Sequence, residues 1–167
     1  MDTRYNSQRR YKIIYLNGVA VLFVLLFAYT ATSKFLDYRR FVLQMELAPV
    51  PLMKSLAPIL GWVLPTIEAF IASGFIIGIF VNRFLKYSLF ISFFLIMAFD
   101  SYVAIMLVSG IHLPCTCGGV ISKMSWKQHL LFNSVLLIIS GISILTFKNL
   151  SHRNNKTSSD QKQHSRA

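Results

Sequence analysis

Four apolar stretches constrain this chain more than anything else in it. A helix needs about 20 mostly apolar residues to cross a bilayer. The stretches Ile13–Thr32, Leu56–Val81, Leu85–Val108 and Leu130–Phe147 reach or approach that length. Lipid offers no hydrogen-bond partners, so each span must satisfy its own backbone, as a helix does. The predicted fold is therefore all-α, an integral membrane four-helix bundle. Only Asn82-Arg83-Phe84 separates the second and third spans, which predicts an antiparallel hairpin. The first span follows Arg9, Arg10 and Lys12 in the manner of a signal peptide. Its apolar core outruns the usual signal core and no clean A-x-A cleavage site follows, so it reads as a retained helix.

The chain has 167 residues, 54% of them hydrophobic, and a net charge of +11. That length allows one small domain. The charge does not point to nucleic acid, because no basic stripe interleaved with aromatics occurs. Basic residues instead crowd the tails and short loops, where they set membrane orientation. Eleven lie in the N-terminal tail, around the junction of spans two and three (Arg83 and Lys86), and in the C-terminal tail; six, Lys34 among them, lie on the other side. The richer side is predicted to be cytoplasmic, with both termini facing in. The expected organisation is a basic cytoplasmic tail at 1–12, the membrane domain at 13–147, and a basic tail at 148–167 without regular structure. His152 and His164 in that tail read as solvated.

Cys115 and Cys117 are the only cysteines, in the run Pro114-Cys-Thr-Cys-Gly-Gly119. With both ends inside, the loop His112–Gln128 faces outward, which in a bacterial inner membrane is the oxidising periplasm. A Cys-x-Cys disulfide closes a tight ring, and strain makes such a bond easier to reduce. Gly118 and Gly119 let a partner sulfur come close to the backbone. Thiol–disulfide exchange is one reading. A soft-metal site for Cu(I) or Zn, using Cys115, Cys117 and His112 or His129, is another. A structural role is the third.

His129 opens the fourth span, and Asn133 and Ser140 follow on the same helix face. That stripe is expected to line the bundle interior below the cysteine loop. His129 reads either as a group that assists thiol chemistry or as an interfacial residue beside a Trp126 anchor. Glu68 and Asp100 are the only acids inside spans. They lie about 18 Å and about 12 Å from the outer ends of their helices at 1.5 Å per residue. Charges at such depth face partners or cavities. Either they move protons, or they are held by polar neighbours such as Asn17, Ser73 or Ser101. Gly74 and Gly78 form a G-x-x-x-G on span two, read as internal helix packing.

Three segments in order resemble the MauE/DoxX-like membrane proteins. These are Lys34-Phe-Leu-Asp37 with Phe41, Pro65-Thr-Ile-Glu68 with Gly74 and Gly78, and Pro114–Gly119 with Trp126 and His129. The resemblance covers roughly residues 13–147 and implies a four-helix membrane bundle. It also implies a role near methylamine utilisation: helping to process, export or mature a disulfide-rich dehydrogenase subunit. By the same resemblance, Lys34 and Glu68 fall on family positions, and Cys115 and Cys117 on those of redox-associated members. The expected site is Cys115, Cys117, His129, Glu68 and Asp100, with no resident metal and no firmly bound cofactor. A membrane quinone is the expected electron acceptor, and a periplasmic client or thioredoxin-like protein the expected partner. Non-catalytic assembly and soft-metal handling are the competing functions.

Overall fold

Each apolar stretch is a helix, and each helix outruns its apolar core. A computed structural model describes residues 2–48, 51–108 and 125–164, with side chains described between residues 7 and 150 except at Trp126. In chain order the helices are α1 (Asp2–Leu36), α2 (Tyr38–Glu46), α3 (Met53–Phe80), α4 (Asn82–Val108) and α5 (Trp126–His164). All but α2 are long and apolar enough to cross a membrane. Four crossings return both ends of the bundle to one side.

Helix ends are set by caps and breakers, not by the loss of hydrophobicity. So α4 begins at Asn82, and Val81 alone, in extended backbone, separates it from α3 where a three-residue link was expected. Likewise α5 continues to His164, through a tail expected to lack regular structure; no Gly or Pro interrupts the chain after Gly141. The side chains of His152 and His164 lie outside the described residues.

The bundle closes through α1 on α3, α3 on α4, α4 on α5 and α5 back on α1. Its core includes Leu16, Ala20, Phe23, Phe27, Phe75, Leu89 and Leu136. Large apolar side chains such as Leu25, Ile59, Phe70, Phe94 and Ile138 point outward. Such a surface is a liability in water and the ordinary outer face of a bundle solvated by lipid. Small residues let the helices approach. Ser140 is fully buried and donates to the Leu89 carbonyl of α4 at 3.4 Å. The hydroxyls of Ser143 and Tyr15 meet at 3.2 Å between α5 and α1. The Gly74 and Gly78 pair brings α3 onto α4. A Cβ at Gly78 would lie 2.8 Å from the Leu85 backbone, and one at Gly74 would lie 2.5 Å from Ser88 Oγ.

Helix α2 was not anticipated. It buries Phe41 and Met45, four residues apart on one face, against Ala57 of α3, while Arg39, Arg40 and Leu43 point out. Gly61 makes room for it: a Cβ there would sit 2.6 Å from Val42 and 2.7 Å from Tyr38. The Tyr38 hydroxyl donates to the Pro58 carbonyl at 3.1 Å. Thus α2 folds back over the first turns of α3, which project past the end of α1. That offset brings Lys34, two residues from the end of α1, level with Glu68, fifteen residues into α3.

Candidate functional site

Charge counting assigned Lys34 to a solvent-facing loop. It lies instead in the last turn of α1, 3% exposed, with Nζ 2.6 Å from Glu68 Oε1 and 2.8 Å from Oε2. Glu68 is 2% exposed. The ammonium also faces the rings of Phe41 at 5.6 Å and Phe99 at 5.2 Å. An isolated charge here would be costly, and the pair, with two aromatic faces around the cation, lowers that cost. The neighbours suggested by sequence for Glu68 and Asp100 are placed elsewhere. Ser73 and Ser101 donate to carbonyls of their own helices, Ala69 and Met97. Asn17 lines a cavity at the opposite end of the bundle with Arg9 and Asn82.

Beside the pair is a cavity of about 50 Å³ whose polar lining comes from Thr30, Lys34, Glu68, His129 and Asn133. It has room for ordered water, and far less than the roughly 150 Å³ that accommodates an aromatic ring. His129 reaches it through local sequence. Ser125 and Gln128 form a reciprocal cap at the start of α5. The Gln128 N–H donates to Ser125 Oγ at 3.4 Å, and the Ser125 N–H donates to Gln128 Oε1 at 2.9 Å. The His129 N–H then donates to the Ser125 carbonyl at 2.9 Å, which fixes the first turn. His129 is 7% exposed, and its Nδ1 is buried without a partner among the described residues.

Asp100 of α4 is half-buried. It accepts from Ser134 Oγ of α5 at 3.1 Å through Oδ2, while Oδ1 has no described partner. Lys34 and Asp100 are both close enough to act electrostatically on His129. Groups from α1, α3, α4 and α5 thus gather in one polar cluster. Two buried atoms of this cluster, His129 Nδ1 and Asp100 Oδ1, have no partner among the described residues, which is uncommon for buried polar groups. Asn133 and Ser140 continue the His129 face, Asn133 at the cavity and Ser140 deeper, against α4.

Cys115 and Cys117 lie outside the described residues, as do His112, Pro114, Gly118, Gly119 and the Trp126 side chain. Their segment leaves α4 after Val108 and returns at Ser125, four residues before His129. Among the described residues no group of three His, Cys, Asp or Glu is placed to hold a metal.

A family model described as methylamine utilisation protein MauE matches residues 12–146, the whole four-helix region. The chain belongs to the MauE family. No curated protein and no solved structure matches it. In this MauE-family chain, sequence reasoning missed α2, the pairing of Lys34 with Glu68 and that of Ser134 with Asp100. The one signal for the first pairing was the resemblance, which put Lys34 and Glu68 on family positions without joining them.

Proposed function

We propose that this MauE-family protein is the membrane component of a thiol–disulfide relay that matures an extracytoplasmic client. Cys115 and Cys117 are the exchanging pair. The Lys34, Glu68 and His129 cluster handles protons for them. The termini are cytoplasmic and the cysteine loop periplasmic. What carries this reading is the buried Lys34–Glu68 pair sharing a water-sized cavity with His129. His129 stands twelve residues after Cys117, on the helix that the cysteine segment enters.

The chemistry balances. A client thiolate attacks one sulfur of the Cys115–Cys117 disulfide, breaks the S–S bond and forms a mixed disulfide. The client's second thiolate then displaces the protein's sulfur. The client leaves oxidised, and the cysteine pair holds two electrons and takes up two protons. A membrane quinone accepts two electrons and two protons, becomes a quinol and restores the disulfide. Family membership sets the context as methylamine utilisation, where a disulfide-rich dehydrogenase subunit suits the client role.

Thiol trapping in cells tests this. Acid quenching followed by a mass-adding alkylating reagent should show Cys115 and Cys117 shifting between oxidised and reduced forms as the client is overproduced. A single Cys→Ser variant should accumulate a mixed disulfide with the client. A pair fixed in one state under every condition sinks the relay. So does normal client maturation with both cysteines replaced by serine, which would leave the loop as a docking element.

A further inference from the structure

A cavity of about 210 Å³ lies at the end of the bundle opposite the Lys34–Glu68 pair, and all four spans contribute to its wall. Its inner wall is apolar. Leu16 and Leu85 are buried members of the core, and Phe147 packs against the same core. Its polar groups are Arg9 and Asn17 of α1 and Asn82, the first residue of α4. Arg9 is exposed, and Asn17 is half-buried eight residues further on, about 12 Å along the helix. None of these three side chains has a hydrogen-bond or ion-pair partner among the described residues. The charge around the cavity has one sign. Arg9, Arg10, Lys12, Arg83, Lys86 and Lys148 stand at this end, whereas the described carboxylates, Asp37, Glu46, Glu68 and Asp100, lie toward the other.

Charge and polarity together select the occupant. An unpaired guanidinium in a wholly cationic surround attracts an anion. The apolar inner wall offers a free hydrated ion nothing in exchange for its water, so the anion that fits carries an apolar chain. The level agrees: Arg9 stands four residues before the apolar run that opens at Ile13, about 6 Å short of the hydrocarbon crossing. The space exceeds the roughly 150 Å³ that accommodates a benzene ring. It takes a phosphoglycerol headgroup and leaves no room for acyl chains. Ile13 lines the cavity and is exposed on the outer face of α1, which gives the chains a way out. We infer that this cavity holds the headgroup of an anionic phospholipid. Its phosphate sits on Arg9, its glycerol and ester oxygens accept from the Asn17 and Asn82 amides, and its chains pass Ile13 into the bilayer. Basic pockets between spanning helices hold anionic headgroups in this way. A lipid so placed ties together the ends of all four spans, and it requires neither the relay nor the cysteine segment.

Native mass spectrometry of the full chain in a neutral detergent, titrated with phosphatidylglycerol, tests the site. Phosphatidylcholine, which keeps the phosphate but has no net charge, and glycerol 3-phosphate, which lacks the chains, are the other arms. One tightly held phosphatidylglycerol per chain is expected, with phosphatidylcholine held much more weakly and glycerol 3-phosphate unable to displace the lipid. Arg9→Gln should weaken phosphatidylglycerol binding about tenfold, the worth of a hydrogen bond between charged groups, and Arg9→Lys should recover most of it. Arg10→Gln removes the neighbouring charge, which does not line the cavity, and should change binding less than about twofold at physiological salt. Phosphatidylglycerol should also raise the melting temperature of the native chain and not that of Arg9→Gln. Equal losses in Arg9→Gln and Arg10→Gln overturn the site and leave a diffuse cationic surface. Equal binding of the two lipids overturns it in favour of ordinary annular lipid, and displacement by glycerol 3-phosphate overturns it in favour of a soluble phosphate.

Discussion

Removing one member of the Lys34–Glu68 pair should unfold more of the protein than removing both. The pair is fully out of water, at 3% and 2% exposure, and its two contacts are 2.6 and 2.8 Å, so solvent screening does not reduce its strength. Breaking a buried ion pair from one side costs about 3–5 kcal/mol, because the survivor is left uncompensated. A ceiling follows from proton exchange. The survivor sheds its charge at about 1.4 kcal/mol for each unit between its ordinary pKa and the ambient pH. At pH 7 that is about 4 kcal/mol for a lone carboxylate and about 5 kcal/mol for a lone ammonium. The Glu68→Met survivor keeps two aromatic faces around its cation, worth about 1 kcal/mol or more when desolvated. The two single variants should therefore be destabilised to similar extents, each by about 3–4 kcal/mol. The double Lys34→Met, Glu68→Met variant replaces the pair by apolar chains of similar length and should fall within about 1 kcal/mol of the native protein. Unfolding in mixed micelles titrated with sodium dodecyl sulfate, followed by circular dichroism, measures all four corners of the cycle. Additive losses, with the double variant as unstable as the two singles combined, would refute the pairing. Client maturation in the double variant adds a second readout. Recovered folding without recovered maturation assigns the pair to function rather than to stability.

Two further outcomes follow from local geometry. Gly78→Ala should destabilise more than Gly74→Ala, by about 2 kcal/mol, because its Cβ meets the Leu85 backbone while that of Gly74 meets only the Ser88 hydroxyl, which can rotate; the same detergent titration ranks them, and equal losses would show that the α3–α4 contact is looser than described. Ser125→Ala removes half of the reciprocal cap that follows the cysteine segment in sequence and should cost about 1 kcal/mol, with amide hydrogen exchange accelerated at the first turn of α5 and unchanged in α3.

The bundle was legible in the sequence because membrane helices answer to one rule, the length of an apolar run. Residues 13–147 carried four such runs, and the structure has four matching helices. Helix α2 escaped because nine residues are too few to register as a span, and its two buried side chains, Phe41 and Met45, are a short signal beside Arg39 and Arg40. Glu68 and Asp100 were found because an acid inside an apolar run stands out. Their partners were not. Ser134 is one small polar residue among many, and Lys34 sits where the apolar run of α1 has just ended. Linear hydropathy reads it as a loop charge, whereas the offset of α3 and the cover of α2 put it indoors. Pairings between helices depend on register, and no single helix records the register of its neighbour.

Stability does not by itself account for the polar cluster. Apolar side chains of similar volume commonly match or exceed a buried ion pair in stability. Thr30, Lys34, Glu68, Asp100, His129 and Asn133 occupy bundle positions where Leu or Phe would pack at lower cost, and buried atoms of His129 and Asp100 remain unpaired. Elsewhere the same chain uses Phe23, Phe27, Phe75 and Leu89 to fill its interior. The expense is thus concentrated in one cluster, to which α1, α3, α4 and α5 all contribute. A cluster that stability alone would not select, with a water-sized cavity beside it, is the arrangement expected where protons must reach the membrane interior and charge must be held in check while they move. The relay proposed above would impose that requirement; a docking loop would not.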